Sequence, residues 1–478
     1  MNKKFISNIS LFLLFNVIVK TVFVFFIDRK IQNEVGAAQY GTYTILLNIA
    51  FIFQIILDLG IDNFSRREIA QNPQLTQKYF SGIFILKLIL AVCYMIVGLI
   101  YAMIKNLQQP DFSYLLLLFF NQFLACLVLY LRANLGGLHM FRTESVISVV
   151  DRFLLIIICG TLLYSGITSS EFHISWFIYS QTAAYGFTFL LTLVIVLRQF
   201  KNLRLHFNYV KYRSIIKQVY PYAILIFLMY AYMRIDPILL DELLPNGKIQ
   251  AGIYAHSFRI LDYLNNYAFL FPLLLLPIFS RMIKQKESVS DLLRISASIL
   301  IVPSLVLLIA CQFYSIELFH VLYTEHIEKS AEVFRILIIS FLGTCITYTF
   351  GALLTANGNL KQLNIMASIA LVINLSLNLV LIPRLEVTGA AITNVTTQVF
   401  TIFFHVILGI RIFKLRFNYY LIIKSLLVVI ITITAGYLCS KHMNNWLHGF
   451  ITTLAVGMLM SLTVIKPMEI LKILLEKE

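Results

Sequence analysis

The chain has 478 residues, of which 59% are hydrophobic and only 13% are charged, and its formal net charge is +15. Soluble domains are about 45–50% apolar and about 25% charged, so a soluble fold of this composition would lack the polar residues that cover a surface. The composition therefore excludes an ordinary soluble enzyme and predicts a multispan membrane protein.

Segments of about 20 mostly apolar residues, the length that crosses a bilayer, recur along the whole chain. They predict an all-α integral membrane fold with about fourteen transmembrane helices. The first apolar run follows Lys3 and Lys4 as in a signal peptide, but it continues without a cleavage site, so we expect an uncleaved first span. The predicted spans are 6–27, 40–61, 80–104, 112–135, 146–166, 172–197, 215–240, 251–279, 292–313, 333–355, 362–383, 388–411, 418–439 and 447–466.

The distribution of Lys and Arg gives these spans an orientation. With the N-terminus inside, the inner segments carry roughly three times as many Lys and Arg as the outer loops. Arg152 is counted among the inner residues, at the entrance of the 146–166 span. The pattern predicts both termini on the cytoplasmic side of the cytoplasmic (inner) membrane. It also explains the positive net charge without a nucleic-acid partner.

A short motif occurs twice with identical spacing. Gly36-x-x-Gln39-x-Gly41-x-Tyr43 precedes the second predicted helix, and Gly247-x-x-Gln250-x-Gly252-x-Tyr254 precedes the eighth. Both copies follow an odd-numbered helix, which indicates a parallel duplication. We predict an N-terminal lobe (1–200, helices 1–6), a cytoplasmic basic linker (201–213), a C-terminal lobe (214–412, helices 7–12) and a segment with helices 13–14 and a cytoplasmic tail (413–478). Two pseudo-symmetric lobes around a central cavity are typical of alternating-access transporters.

Motifs of enzymatic or metal chemistry are missing from the sequence. It contains no P-loop, no HExxH and no GxSxG motif, and its six cysteines lie in apolar runs without metal-ligand spacing. We therefore predict no catalytic residue, no metal site and no bound cofactor. A membrane glycan polymerase or ligase remains an alternative, but such enzymes usually carry a large outer loop, and the longest outer segment here is short.

Charged residues inside the apolar spans are the strongest functional signal. A full charge near the bilayer centre costs about 2.5 to more than 10 kcal/mol, so such residues are expected to face a wet interior. Arg259 and Arg234 lie roughly 10 Å inside the outer boundary, and the planar guanidinium suits a phosphate or carboxylate. The alternative is structural ion pairing of Arg259 with Asp262 and of Arg234 with Asp236 or Asp241.

Further polar residues extend this predicted site. Lys20 shares a helix face with Asn16, which favours cavity lining, whereas Lys87 lies close enough to the inner end of its span to snorkel to the headgroups. Pro237, directly after Asp236, is expected to kink the seventh helix. We predict a central cationic, substrate-binding cavity of Arg259, Arg234, Lys20, Asn16 and Lys87, with Asp236, Asp262, Asp58 and Asp62 as gating or ion-pair residues.

Three stretches of the chain carry a family resemblance. They are residues 35–70, 234–281 and 355–393, and the last contains Asn374-x-x-x-Asn378-x(4)-Pro383 followed by Gly389-Ala390-Ala391. From the residue types alone we predict that the asparagines and small residues mediate helix packing. The chain resembles polysaccharide flippases of the O-antigen and capsule type (Wzx-type), within the MOP superfamily that also contains MATE multidrug exporters and lipid II flippases.

The resemblance implies a substrate and a route. It implies that undecaprenyl-pyrophosphate-linked oligosaccharide moves from the inner to the outer leaflet for surface polysaccharide biosynthesis, and that a basic cavity between two six-helix lobes receives the anionic head. Arg259 matches a position where relatives use arginine. Partners would be the lipid-linked glycan, the bilayer and glycan polymerase or ligase proteins.

Residues that differ from those of the related families limit the substrate and the coupling ion that the resemblance implies. Lys20 stands where lipid II flippases use an arginine with an adjacent acid, which argues against lipid II as the substrate. No lone carboxylate lies deep in the predicted first helix, where multidrug exporters often couple cations. A cation-coupled exporter of small molecules remains an alternative, and its cavity should be neutral or acidic. The sequence leaves open whether a proton or a sodium gradient drives transport.

Overall fold

A computed structural model describes residues 15–59, 61, 76–138, 140–165, 172–199, 209–415 and 419–465. All regular secondary structure in these ranges is helical, so the predicted all-α fold is confirmed. In chain order the elements are α1 (15–22), a π-helix (Phe23–Asp28), α2 (Arg29–Phe53), α3 (Ile55–Asp58), α4 (Thr76–Ile104), α5 (Asp111–Gly137), α6 (Phe141–Tyr164), α7 (Ile174–Leu197), α8 (Tyr209–Arg234), α9 (Asp236–Leu243), α10 (Gly247–Ala268), α11 (Leu270–Lys284), α12 (Ser290–Leu322), α13 (Ile327–Ala356), α14 (Leu360–Phe413), α15 (Tyr419–His442) and α16 (Trp446–Ile465).

The exposed surfaces of these helices are apolar. Large hydrophobic side chains such as Leu459 (66% exposed), Val372 (62%) and Ile430 (58%) point outward from the helices. Soluble proteins rarely expose contiguous apolar surface on this scale, whereas lipid covers it without cost. The chain is therefore a multi-pass membrane protein.

The number of spans differs from the prediction. Within the described ranges, 11 helices are long and apolar enough to cross a membrane, or up to 12 if the bent pair Tyr220–Arg234 and Asp236–Leu243 forms one span. The predicted count of fourteen is thus not confirmed. The difference arises in part because two predicted helix pairs are continuous, in the 44-residue segment Phe15–Asp58 and the 54-residue segment Leu360–Phe413.

Both long segments contain one residue that leaves the helical backbone. A straight helix of either length would exceed twice the thickness of the hydrocarbon core, which is about 30 Å. Gly36 interrupts the first segment with φ 74° and ψ 167°, a region that is essentially restricted to glycine. Glu386 interrupts the second with φ 52° and ψ −134°. Its carboxylate accepts a hydrogen bond from Gln250 Nε2 at 2.9 Å, so the repeated motif stabilises this break.

The chain forms two compact units, Met1–Asp241 and Glu242–Glu478. In the first unit, α8 packs against α2 and α3, so most of the predicted seventh helix groups with the first six. In the second unit, α13 packs against α12 and α14, and α15 and α16 pack against each other and against α12. The predicted domain limits stay a prediction, because residues 201–208 of the linker lie outside the described ranges.

The repeated motif makes matching contacts in the two units. Tyr43 on α2 accepts a hydrogen bond from Gln181 Nε2 on α7 at 2.7 Å. Tyr254 on α10 accepts one from Asn394 Nδ2 on α14 at 3.4 Å. Each motif tyrosine is thus held by an amide from the last helix of its predicted lobe. Equivalent contacts at equivalent positions support an internal duplication.

Candidate functional site

Lys87 is buried in the first unit and forms an ion pair. The side chain is 2% exposed, and Nζ lies 2.9 Å from Asp58 Oδ1 and 3.4 Å from the Leu57 carbonyl oxygen. It also lies 5.5 Å from the centre of the Tyr130 ring. The expectation that Lys87 snorkels to the headgroups is wrong, because its ammonium instead ties α4 to the end of α3. Asp62, its predicted neighbour in the gate, lies outside the described residues.

Asn16 and Lys20 lie where the first span packs against α6. Asn16 is buried and donates from Nδ2 to Ser148 Oγ at 2.8 Å. Lys20, one helical turn further along, is half-buried. Ile27 packs close to Gly160 on α6, since a Cβ added to that glycine would lie 3.6 Å from Ile27 Cδ1. The two helices therefore run side by side in the same direction.

Arg152 lies in the middle of a span rather than at its entrance. The structure begins α6 at Phe141, five residues before the predicted start, so Arg152 is roughly 16 Å along the helix. Its Cζ lies 5.1 Å from the centre of the Phe23 ring and 6.0 Å from that of Tyr185. Its Nε lies 3.7 Å from Asp151 Oδ2, and both side chains are partly exposed. The assignment of Arg152 to an inner segment is therefore wrong.

Arg234 and Asp236 flank a break between α8 and α9. The two helices meet at an angle of 47°, which confirms the kink predicted next to Pro237. Arg234 is half-buried, and its Cζ lies 5.0 Å from the centre of the Phe51 ring. Asp236, by contrast, is fully buried at the start of α9. The structure thus gives the two charges different environments.

Arg259 and Asp262 lie on α10 of the second unit. Both side chains are half-buried, and their spacing of three residues places them on one face of the helix. The candidate span that contains them, Gly247–Lys284, is apolar enough to cross a membrane. Arg259 therefore belongs to an apolar helix, as predicted, and its role in substrate binding stays a prediction.

Asp28 is a buried carboxylate that the sequence analysis missed. It is 0% exposed and accepts hydrogen bonds from Gln32 Nε2 at 2.9 Å and from the Tyr40 hydroxyl at 3.1 Å. It ends the π-helix Phe23–Asp28, and π-helical turns occur frequently at functional sites. The expectation of a first helix without a deep carboxylate is wrong, because the helix continues beyond residue 27 and stays helical until Gly36.

The dipeptide Ile-Asp occurs at two interruptions of the α-helices. Ile27-Asp28 ends the π-helix of the first span, and Ile235-Asp236 lies at the break between α8 and α9. Both aspartates are fully buried. The two pairs differ in their distance from the repeated glycine motif, so a search for identical spacing overlooks them. Among the residues that the structure describes, no group of three or more His, Cys, Asp or Glu side chains is placed to hold a metal ion.

Apolar spans in two compact units, with a repeated motif and charged residues inside the helices, define a multi-pass membrane protein. The sequence then gives the family: residues 5–283 match the family described as polysaccharide biosynthesis protein, and the chain belongs to it. No curated protein matches the chain in sequence.

Solved structures confirm the fold. The chain matches the lipid II flippase MurJ in an inward closed conformation with a TM-score of 0.75 and 12% identity, over 95% of this chain and 98% of that one. It matches an outward-facing multidrug resistance MATE transporter of the MOP superfamily with a TM-score of 0.63 and 13% identity, over 86% and 95%. It matches a MOP superfamily transporter from Pyrococcus furiosus with a TM-score of 0.59 and 12% identity, over 86% of this chain and 95% of that one. The predicted MATE-like fold is therefore confirmed.

Proposed function

We propose that this protein is a flippase that moves undecaprenyl-pyrophosphate-linked oligosaccharide across the cytoplasmic membrane by alternating access, for surface polysaccharide biosynthesis. It catalyses no covalent step, and both of its termini face the cytoplasm. The family and the likeness to a lipid II flippase support a lipid-linked substrate. A glycan polymerase or ligase would receive the product in the outer leaflet.

One observation carries the choice of an anionic substrate. Arg259 and Lys20 are half-buried within helices apolar enough to cross a membrane. A cation in such a helix is costly unless water or an anion meets it. A pyrophosphate offers two phosphate groups to cationic side chains, and the guanidinium can bind each in a bidentate manner. Cationic side chains repel a cationic drug, so these residues favour an anionic substrate over one.

Arg259→Ala is expected to lower the amount of surface glycan by about 10- to 100-fold, because a hydrogen bond to a charged group contributes about 1.5–3 kcal/mol. The measurement is surface glycan per amount of inserted protein, determined by glycan staining and immunoblot. Arg259→Lys should retain part of the activity if charge alone matters.

Arg281→Ala is the matched control, because this arginine is exposed at the end of α11. The control variant should behave as the unchanged protein does. Normal glycan levels in the Arg259→Ala variant would reject a role for this arginine in binding the substrate.

We further propose that Asp28 binds the ion, a proton or sodium, whose gradient drives transport. The carboxylate is fully buried and hydrogen-bonded by Gln32 and Tyr40, so binding and release of a cation would change the charge of a packed interior. The same residue is the observation that favours the second candidate function, a cation-coupled exporter of small molecules. That function predicts loss of drug resistance, but no change in glycan, when the gene is deleted.

Asp28→Asn should abolish the dependence of transport on the gradient, because asparagine is nearly isosteric but does not take up the cation. Transport of a fluorescent polyprenyl-pyrophosphate glycan into proteoliposomes, with an imposed pH or sodium gradient, measures this dependence. Asp291→Asn serves as the control, since that carboxylate is 73% exposed. Full gradient dependence in the Asp28→Asn variant would exclude Asp28 as the coupling residue.

A further inference from the structure

Arg335 lies on α13 at the contact with α12 in the second unit. Its Nε donates a hydrogen bond to Ser315 Oγ, and its backbone carbonyl oxygen accepts one from Gln312 Nε2 at 2.7 Å. Gln312 and Ser315 are three residues apart on α12, and residues with this spacing share a helix face. The two contacts therefore hold Arg335 at the α12–α13 interface, where its side chain is half-buried.

The depth of Arg335 places its guanidinium within reach of the lipid headgroups. The helix α13 has 30 residues, so it is about 45 Å long, close to the thickness of a bilayer with its headgroup regions. The hydrocarbon core of about 30 Å then begins about 7 Å from either end of the helix. Arg335 lies eight residues, or about 12 Å, from the start of α13. An arginine side chain spans the remaining distance to the headgroups.

Two nearby carboxylates do not neutralise this arginine. Glu332, one turn earlier on α13, accepts hydrogen bonds from Lys329 Nζ and from Thr388 Oγ1, both at 3.1 Å. Glu317 is two residues away from the serine that binds Arg335, so it lies on a different side of α12. Within the described ranges, Arg335 forms no ion pair, and its Nη1 and Nη2 donate no hydrogen bond to the protein. Four N–H groups of the guanidinium are therefore left for a ligand.

The exposed side chains next to Arg335 are apolar. Ile339 lies one turn further along α13, Ile316 follows Ser315 on α12, and both are exposed. Acyl chains cover such side chains, while the phosphate of the same lipid lies at the level of the guanidinium. A phosphate accepts two parallel N–H bonds from one edge of a guanidinium. The combination of a cation and apolar side chains thus fits a phospholipid better than a small anion from water.

We propose that Arg335, oriented by Ser315, binds the phosphate of an anionic bilayer phospholipid such as phosphatidylglycerol. Ser315 holds Nε, and Nη1 and Nη2 face the phosphate. In the proposed orientation of the chain, α13 begins at the outer side, so the lipid belongs to the outer leaflet. The bound lipid bridges α12 and α13 and stabilises their contact. It is a resident of the bilayer and is not transported.

Binding of phosphatidylglycerol to the purified full-length protein in detergent tests the proposal. Native mass spectrometry at rising lipid concentration measures the affinity of each bound lipid. Arg335→Gln should weaken one tight position about tenfold, the loss expected for hydrogen bonds to a charged group. Arg335→Lys should weaken it less, because the charge remains. Ser315→Ala should also weaken it less, because the guanidinium is present but no longer held.

Arg384→Gln is the matched control, because this arginine is exposed on α14 of the same unit. The control variant should bind phosphatidylglycerol as the unchanged protein does. Unchanged binding by Arg335→Gln, or an equal loss in Arg384→Gln, would overturn the proposal.

The unfolding temperature separates a lipid position from a purely structural contact. A ligand that binds only the folded protein stabilises it, so phosphatidylglycerol should raise the unfolding temperature of the unchanged protein more than that of Arg335→Gln. If Arg335 only ties α13 to α12, the variant unfolds at a lower temperature in detergent, but the rise with added lipid stays the same. That result would contradict lipid binding by Arg335.

Two further probes identify the ligand. Diacylglycerol has acyl chains but no phosphate, and it should not occupy this position; binding as tight as that of phosphatidylglycerol would show that the phosphate is not recognised. Undecaprenyl pyrophosphate at equal concentration should not displace phosphatidylglycerol. If it does, and if Arg335→Gln abolishes the displacement, the position serves the transported lipid and the assignment to a bilayer phospholipid is wrong.

Discussion

Asp58→Asn is expected to destabilise the protein by about 3–5 kcal/mol, because removing the carboxylate from a buried ion pair leaves the other charge buried and poorly compensated. Lys87→Met should cost less than Asp58→Asn. The reason is the difference in exposure: 25% of the Asp58 side chain is accessible to water, whereas only 2% of the Lys87 side chain is. The Leu57 carbonyl and the Tyr130 ring compensate the ammonium only in part.

Unfolding by SDS titration in mixed micelles measures these differences. The double variant Asp58→Asn/Lys87→Met removes both charges and should recover part of the loss, since a buried pair can often be replaced by neutral side chains at little cost. Lys105→Met is the matched control, because that lysine is exposed just after the same helix. Equal stability of the unchanged protein and the Asp58→Asn variant would show that the pair does not stabilise the fold.

The burial of Lys87 shows that hydropathy does not predict the partner of a charged side chain in an apolar helix. A lysine about two turns from the end of an apolar run is close enough to the interface to snorkel, and the local sequence offers no reason against it. The partner, Asp58, comes from another helix, and only the packing of α4 against α3 brings the two together. Long-range pairing of this kind leaves no periodic signal in the sequence.

The predictions for Asp28 and Arg152 were wrong because the helix boundaries differ from the ends of the apolar runs. The predicted first span ended at residue 27 and the predicted fifth span began at residue 146, because charged residues follow or precede the apolar run at these points. The helices in fact continue through Asp28 and begin at Phe141. Asp28 and Arg152 therefore lie inside helices and not at membrane entrances. Hydropathy identifies the apolar runs. Where a helix breaks or continues beyond its apolar run depends on contacts with side chains of other helices.

The duplication leaves a clearer signal in the sequence than the candidate site does. Glycine and tyrosine at fixed spacing appear directly in the sequence, and the matching bonds of Tyr43 and Tyr254 support the reading. The dipeptides Ile27-Asp28 and Ile235-Asp236 also repeat, but they lie at different distances from the glycine and tyrosine motif. Because both lie at interruptions of an α-helix, backbone geometry reveals them where sequence spacing does not.

Gly389, three residues after the break at Glu386, should tolerate no larger side chain. A Cβ added at this residue would lie 2.4 Å from the Leu381 carbonyl oxygen and 2.6 Å from its carbonyl carbon. These are backbone atoms from the other side of the break at Glu386 and cannot rotate away, so the added Cβ forces the backbone to shift. We expect Gly389→Ala to destabilise the protein by about 3 kcal/mol or more, at the upper end of what overpacking costs.

Gly186→Ala is the matched control for Gly389→Ala. Gly186 lies within α7, and nothing is found within 4 Å of a Cβ added there. Alanine has the higher helix propensity, by about 1 kcal/mol in water, so this variant should be as stable as the unchanged protein or more so. SDS titration and the yield of monodisperse protein compare the two variants. If Gly389→Ala unfolds at the same SDS concentration as Gly186→Ala, the close approach of the two halves of α14 does not constrain the fold.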